Sequence, residues 1–121
     1  MTDQTVLLVE DEDSIRLTLR DYLQSSGFTV HVASDGVGAI RQLLDHRIDS
    51  VVTDYRMKGF GGDYWLRFLK VFYPDKRVIV TSGYIGPDST MSFPFFQKPF
   101  DFDQIASCLA GGRDIPSHSL N

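Results

Sequence analysis

Thr5-Val6-Leu7-Leu8-Val9-Glu10-Asp11-Glu12-Asp13 decides the fold. After Thr5 the run is short, continuous and apolar, which suits a strand covered on both faces, as the strands of a parallel sheet are. It passes without interruption into four acids. The first strand is therefore expected to end where charge begins.

Working outward, Ile15, Leu19, Tyr22 and Leu23 recur at helical spacing, with Asp13 placed to cap the helix and Gly27 to stop it. Phe28 to Ala33 alternates apolar with polar residues and reads as a second, less buried strand. Ser34-Asp35-Gly36 is a turn that opens a helix whose inner face is Ile40, Leu43 and Leu44. Ser50-Val51-Val52-Thr53 repeats the opening pattern and also ends on an acid, Asp54. The turn Gly59-Phe60-Gly61-Gly62 leads into a helix over Asp63 to Phe72, with Trp65, Leu69 and Phe72 facing inward and Pro74 ending it. Arg77 to Thr81 is a fourth strand and Pro94 to Gln97 a fifth. Lys98-Pro99 follows, then a last helix over Asp103 to Ala110, closed by Gly111-Gly112.

Strands alternating with helices in this way define an α/β class with a parallel sheet and right-handed crossovers. In such sheets ligands bind beyond the carboxyl ends of the strands. Those ends carry Glu10-Asp11, Asp54, Thr81-Ser82 and Lys98.

Composition narrows the function. At 121 residues and 42% hydrophobic content the chain holds one core. Residues 1–112 are expected to form it and residues 113–121 a flexible tail. A net charge of −4 offers no broad basic surface for nucleic acid or anionic membrane. The single cysteine, Cys108, excludes an internal disulfide and a thiolate metal cluster, which fits a reducing, cytoplasmic setting. No apolar stretch approaches the roughly 20 residues of a membrane span, and the N-terminus lacks a signal-peptide pattern. His31, His46 and His118 lack ligand-like spacing and read as surface residues.

Carboxylates gathered on one rim repel one another unless a cation neutralises them, and all-oxygen ligation favours magnesium. With Asp54 as nucleophile, such a site forms an acyl phosphate. Lys98 and Ser82 would supply donors to the phosphoryl oxygens, and a cis peptide before Pro99 would aim the lysine inward.

Leu8-Val9-Glu10-Asp11-Glu12, Val52-Thr53-Asp54-Tyr55-Arg56-Met57, Val80-Thr81-Ser82-Gly83 and Gln97-Lys98-Pro99-Phe100 together resemble the signatures of response-regulator receiver domains. They occur in the family's order across almost the whole chain. The resemblance implies a flavodoxin-like, CheY-like doubly wound fold with strand order 2-1-3-4-5. It makes Asp54 the phosphoacceptor, Asp11 a direct magnesium ligand, Glu10 a ligand through water, and the Arg56 main-chain carbonyl a further ligand. Ser82 becomes the switch hydroxyl, with Thr81 the alternative one residue away, Lys98 the phosphate-binding lysine and Phe95 the switch aromatic. It implies a two-component signalling module rather than an enzyme acting on other substrates. The phosphodonor would be a histidine kinase or histidine phosphotransfer protein, and a partner protein would read the output.

This chain departs from the family pattern in three places. Tyr84 to Phe93 includes Gly86 and Pro87 and has no apolar stripe, so the fourth helix is expected to be short, irregular or missing. Lys58 replaces the usual proline, and the glycines beside it make that loop permissive. Arg56 and Tyr84 flank, by resemblance, the path of the hydrolytic water, which implies a long-lived phosphoaspartate. Rival readings are a small aspartate-nucleophile phosphatase, a flavodoxin-like nucleotide or flavin binder, and a receiver-like module acting without phosphorylation. The first would need a second acid placed to protonate the leaving group and reactivate water, where Asp54-Tyr55-Arg56 offers arginine instead. The second is disfavoured by acids where phosphate donors should follow the first strand.

Overall fold

The computed structural model describes residues 4–57, 59–83 and 93–111. Within them lie β1 (Thr5–Val9), α1 (Asp13–Ser25), β2 (Thr29–Ala33), α2 (Gly36–Asp45), β3 (Ser50–Asp54), α3 (Gly62–Phe72), β4 (Arg77–Ser82), β5 (Phe95–Gln97) and α4 (Phe102–Gly111). All strands are parallel, in the order β2-β1-β3-β4-β5. The flavodoxin-like topology expected from the sequence is present.

Alternation along the strands divides the core into two layers. Leu7, Val9, Val51, Val78 and Val80 face α2 and α3 and meet Ala39, Leu43, Trp65, Leu66 and Leu69. Val6, Leu8, Val52 and Ile79 face α1 and α4 and meet Leu19, Leu23, Ile105 and Leu109. Register places Val9 beside Thr53 and Asp54 beside Thr81. The carboxyl ends of the central strands are thereby brought level.

Local chemistry sets the element ends, with some differences from expectation. Asp13 is the first helical residue of α1 rather than its cap, and its carboxylate pairs with Arg16 at 2.7 Å. Glu12 holds the capping position without a side-chain capping bond to the helix backbone. Gly27 closes α1 with φ of 101°, the left-handed conformation glycine adopts without steric cost. Asp35 does cap α2, accepting from the Gly38 N–H at 2.8 Å.

Leu44 and Phe72 are exposed, not inner-face residues. In α2 the buried positions are Gly36, Ala39 and Leu43, and Leu44 lies a further 100° round the helix. In α3 they are Trp65, Leu66 and Leu69, which leaves Phe72 at the edge of the last turn. The expected curtailment of a helix between Tyr84 and Phe93 falls largely on residues 84–92, outside the described residues. So do Lys58, Tyr84, His118 and residues 113–121.

Candidate phosphoacceptor site

Glu10, Asp11 and Asp54 meet at the carboxyl rim, with one potential ligand oxygen from each lying within 4.8 Å of the others. Among the described residues this is the only group of three or more side chains able to share a metal ion. Glu10 and Asp54 are buried, whereas Asp11 is exposed. All donors are carboxylate oxygens, the set that suits a hard divalent cation such as magnesium.

Lys98 reaches this cluster from the end of β5. Its Nζ lies 2.9 Å from Glu10 Oε1 and 3.2 Å from Asp54 Oδ2. The Lys98–Pro99 peptide is cis, and the Lys98 N–H donates to the Ser82 carbonyl at 2.7 Å. Burial raises the Asp54 carboxyl above its ordinary range; Lys98 opposes the shift and Asp11 adds to it. Burial likewise raises Glu10, again against Lys98 and with Asp54. Burial works against the Lys98 ammonium, but Glu10 and Asp54 outweigh it and hold the group above its usual value. Lys98 is thus a fixed cation, while the acids pay a desolvation cost that a second cation would relieve.

The backbone around each acid is pinned by partners that sequence reading missed. Arg16 Nη1 donates to the Glu10 carbonyl at 2.9 Å, and the Glu12 N–H donates to Glu10 Oε2 at 3.1 Å. Beside Asp54, the fully buried Trp65 donates from Nε1 to Thr53 Oγ1 at 2.8 Å, and Thr53 Oγ1 donates to the Asp54 carbonyl at 3.0 Å. No local spacing signals the Thr53–Trp65 pair, because only the β3–α3 crossover brings the two residues together.

The loop after Asp54 closes on itself. The Gly62 N–H donates to the Tyr55 carbonyl at 2.8 Å, and the Tyr55 hydroxyl donates to Asp63 Oδ1 at 2.7 Å. Gly59 and Gly62 take positive φ angles of 73° and 60°, so the permissive residues serve defined turns. An open cleft of about 490 Å³ lies along this loop, lined by Asp11, Tyr55, Arg56, Met57 and the glycines. It borders the acidic cluster at Asp11.

The remaining candidates are placed less centrally. Thr81 is the register neighbour of Asp54, and Ser82 is the buried last residue of β4. Phe95 is half-buried in the layer of α2 and α3, beside Val80 in register. His31 and His46 stack with centroids 3.9 Å apart, a contact their separation in sequence did not suggest.

The response regulator receiver domain model matches residues 6–110, and the chain belongs to that family. Sensor kinase CckA of Brucella abortus is 40% identical over 113 residues, which cover 87% of this chain and 12% of the kinase. Sporulation initiation phosphotransferase F of Bacillus subtilis is 29% identical over 115 residues, covering 90% of this chain and 93% of that protein. The chain therefore spans nearly all of one relative and a small part of the other. Among solved structures, response regulator TrrA of Thermotoga maritima, in complex with Mg²⁺-BeF, superposes with a TM-score of 0.80 at 24% identity, covering 89% of this chain and 97% of that one. Chemotaxis response regulator CheY4 of Vibrio cholerae gives 0.79 at 23% identity, covering 91% and 98%. The chain is a receiver of phosphorylation-based two-component signalling, and these likenesses corroborate its fold.

Proposed function

We propose that Asp54 accepts a phosphoryl group from a histidine kinase or a histidine phosphotransfer protein, and that Ser82 and Lys98 read its arrival. The observation that carries this reading is the buried Asp54 carboxylate held between a lysine ammonium and two further acids on one rim. An Asp54 oxygen attacks phosphorus, the bond from phosphorus to the donor nitrogen breaks, and an acyl phosphate results. The nitrogen leaves with the electron pair and takes a proton from water or the donor protein.

Glu10, Asp11, Asp54 and the Arg56 carbonyl would hold magnesium, which when bound supplies neutralisation of charge on the phosphoryl oxygens. Lys98 stands close enough to exchange its ion pair with Asp54 for one with a phosphoryl oxygen. The Trp65–Thr53–Asp54 chain and the closed β3–α3 loop hold the attacking residue in place while this occurs. Ser82, or Thr81 in its stead, turns its hydroxyl to the new phosphoryl group, and Phe95 follows. The receiver unit comprises residues 1–112. It performs no chemistry beyond its own phosphorylation and dephosphorylation, acts in the cytoplasm, and delivers its signal to a partner protein. The presence of TrrA's Mg²⁺-BeF complex in a similar fold supports the magnesium assignment.

The test is intact-mass measurement after incubation with a small phosphodonor, with and without magnesium, on wild type and Asp54→Asn. A single phosphoryl adduct that needs both magnesium and Asp54 is expected. An adduct formed equally by Asp54→Asn would overturn the proposal.

A further inference from the structure

Asp11 is the exposed member of the acidic cluster, whereas Glu10 and Asp54 are buried. The Glu10 carboxylate already receives the Lys98 ammonium on both oxygens, at 2.9 and 3.1 Å, and the Glu12 N–H on one of them. Asp54 also receives Lys98, at 3.2 Å. Asp11 is therefore the acid most open to an incoming cation, and packing does not set the direction of its carboxylate. Its aim depends on the main chain.

Both peptide groups that flank Asp11 are held. Each is planar, so a bond to one of its atoms limits the rotation of the whole group. The Glu10–Asp11 peptide carries the Glu10 carbonyl, which accepts from Arg16 Nη1 at 2.9 Å. The Asp11–Glu12 peptide carries the Glu12 N–H, which donates to Glu10 Oε2 at 3.1 Å. One step earlier, the Glu10 N–H donates to the Ala33 carbonyl at 3.0 Å, which ties the same turn to β2. The two flanking planes bracket φ and ψ of Asp11, and the hold on the first of them comes from α1.

Arg16 stands near the start of α1 and reaches back over its N-terminus, the direction long side chains take on a helix. Its side chain is only 14% exposed, with Nη2 paired to Asp13 at 2.7 Å while Nη1 meets Glu10. Two donors of one planar fork are thus committed to separate acceptors. Charge does not account for this placement. A cation near the positive end of a helix is disfavoured by the dipole, and a cation beside an acidic cluster weakens that cluster's attraction for another. Asp13 is 81% exposed, so its pair with Arg16 adds little stability. What arginine supplies here is the hold on the Glu10 carbonyl.

We propose that Arg16 is a positioning residue of the phosphoacceptor site: by fixing the Glu10–Asp11 peptide it keeps the Asp11 carboxylate turned toward Glu10 and Asp54, where a divalent cation would be shared. This rests on the reading of the site as a magnesium-dependent phosphoacceptor. Groups that orient metal ligands without touching the metal commonly set its affinity by roughly tenfold or more. The sign separates the hold from the charge. Loss of a nearby cation by itself would tighten magnesium binding, whereas loss of the hold weakens it.

The experiment titrates the metal-free full chain with magnesium chloride by calorimetry, for wild type, Arg16→Met and Arg16→Lys, with urea unfolding in parallel. Arg16→Met is expected to bind magnesium roughly tenfold more weakly, although it has lost a cation. Arg16→Lys keeps the charge and can place one donor on the carbonyl, so it should fall between the two. Phosphoryl uptake from a small phosphodonor by Arg16→Met should be slow at limiting magnesium and regain the wild-type rate at saturating magnesium, a split that reduced stability alone does not produce. If wild type binds magnesium and Arg16→Met binds it equally or more tightly, this inference is overturned while the reading of the site stands. An uptake deficit unchanged at saturating magnesium would also overturn it. Should Arg16→Met not fold, Arg16→Lys decides: magnesium binding weakened about threefold or more supports the hold, and unchanged binding overturns it. Absence of magnesium binding by wild type would remove the underlying reading and this inference with it.

Discussion

Replacing Gly36 by alanine adds one carbon where two parts of the site meet. That carbon would lie 2.2 Å from the Phe60 carbonyl oxygen and 3.0 Å from Phe60 Cβ. A carbon and an oxygen normally close to about 3.3 Å, so about 1 Å must be found. The obstructing atom is main chain, and a rotamer change cannot supply it. Overpacking by one carbon costs about 1–3 kcal/mol, against which the helix preference for alanine returns at most about 1 kcal/mol. A net loss of about 1–2 kcal/mol is expected. The loop should move as a unit because the Gly62–Tyr55 bond closes it, carrying Arg56 with it and lowering magnesium affinity. Gly38→Ala is the control: its nearest neighbours would be Asp35 Oδ1 at 3.2 Å, the end of a side chain that can shift by a few tenths of an ångström, and Ala33 Cβ at 3.4 Å, an ordinary contact. That variant should match wild type within about 0.5 kcal/mol or exceed it. Urea unfolding followed by the fluorescence of Trp65, the single and fully buried tryptophan, measures both variants. Gly36→Ala with wild-type stability and an unchanged magnesium titration would refute the reasoning.

Three further outcomes follow from the same geometry. Lys98→Met removes a cation that already neutralises Glu10 and Asp54, so calorimetry should show magnesium binding strengthened roughly tenfold while phosphoryl uptake slows; weaker magnesium binding would contradict the assignment. Trp65→Phe should cost about 1–3 kcal/mol through the lost bond to Thr53 and the space left behind. Thr53→Val should leave the indole N–H unpaired, and the double variant should be less destabilised than the sum; strict additivity in urea melts followed by circular dichroism would argue against the pair. Burial, with the neighbouring His46, holds the folded His31 pKa below its ordinary value, so the folded chain binds fewer protons than the unfolded one. That contribution is full above the unfolded value of about 6.5 and declines as pH falls through it. Wild type should therefore lose more stability than His31→Asn between about pH 7.5 and about pH 5.5, and parallel curves would count against the stacked pair.

The sheet was legible because its strands carry their own signal. Val6 to Val9 and Val51-Val52 are continuous apolar runs that end on acids, and a parallel sheet brings such ends to one rim. Glu10, Asp11, Asp54 and Lys98 could be named for that reason, and the structure brings all four together. Helix faces were less legible. Leu44 and Phe72 fit an apolar stripe by spacing, yet the sheet covers only the arc holding Leu43 and Leu69. The supporting bonds were invisible, since Arg16 to Glu10 and Trp65 to Thr53 depend on how helices return to the sheet. The loop glycines suggested freedom; Gly36 and Gly61 instead permit close approach of backbone, to Phe60 and Met57 respectively.

The most direct test of the central claim is chemical trapping of the acyl phosphate. After incubation with phosphodonor and magnesium, borohydride reduces a phosphoaspartate to homoserine, and tandem mass spectrometry locates the change. Conversion at residue 54, absent without magnesium and absent without phosphodonor, is the predicted result. A phosphoryl adduct that resists reduction, or homoserine found at Asp11 or another aspartate instead of Asp54, would contradict the account.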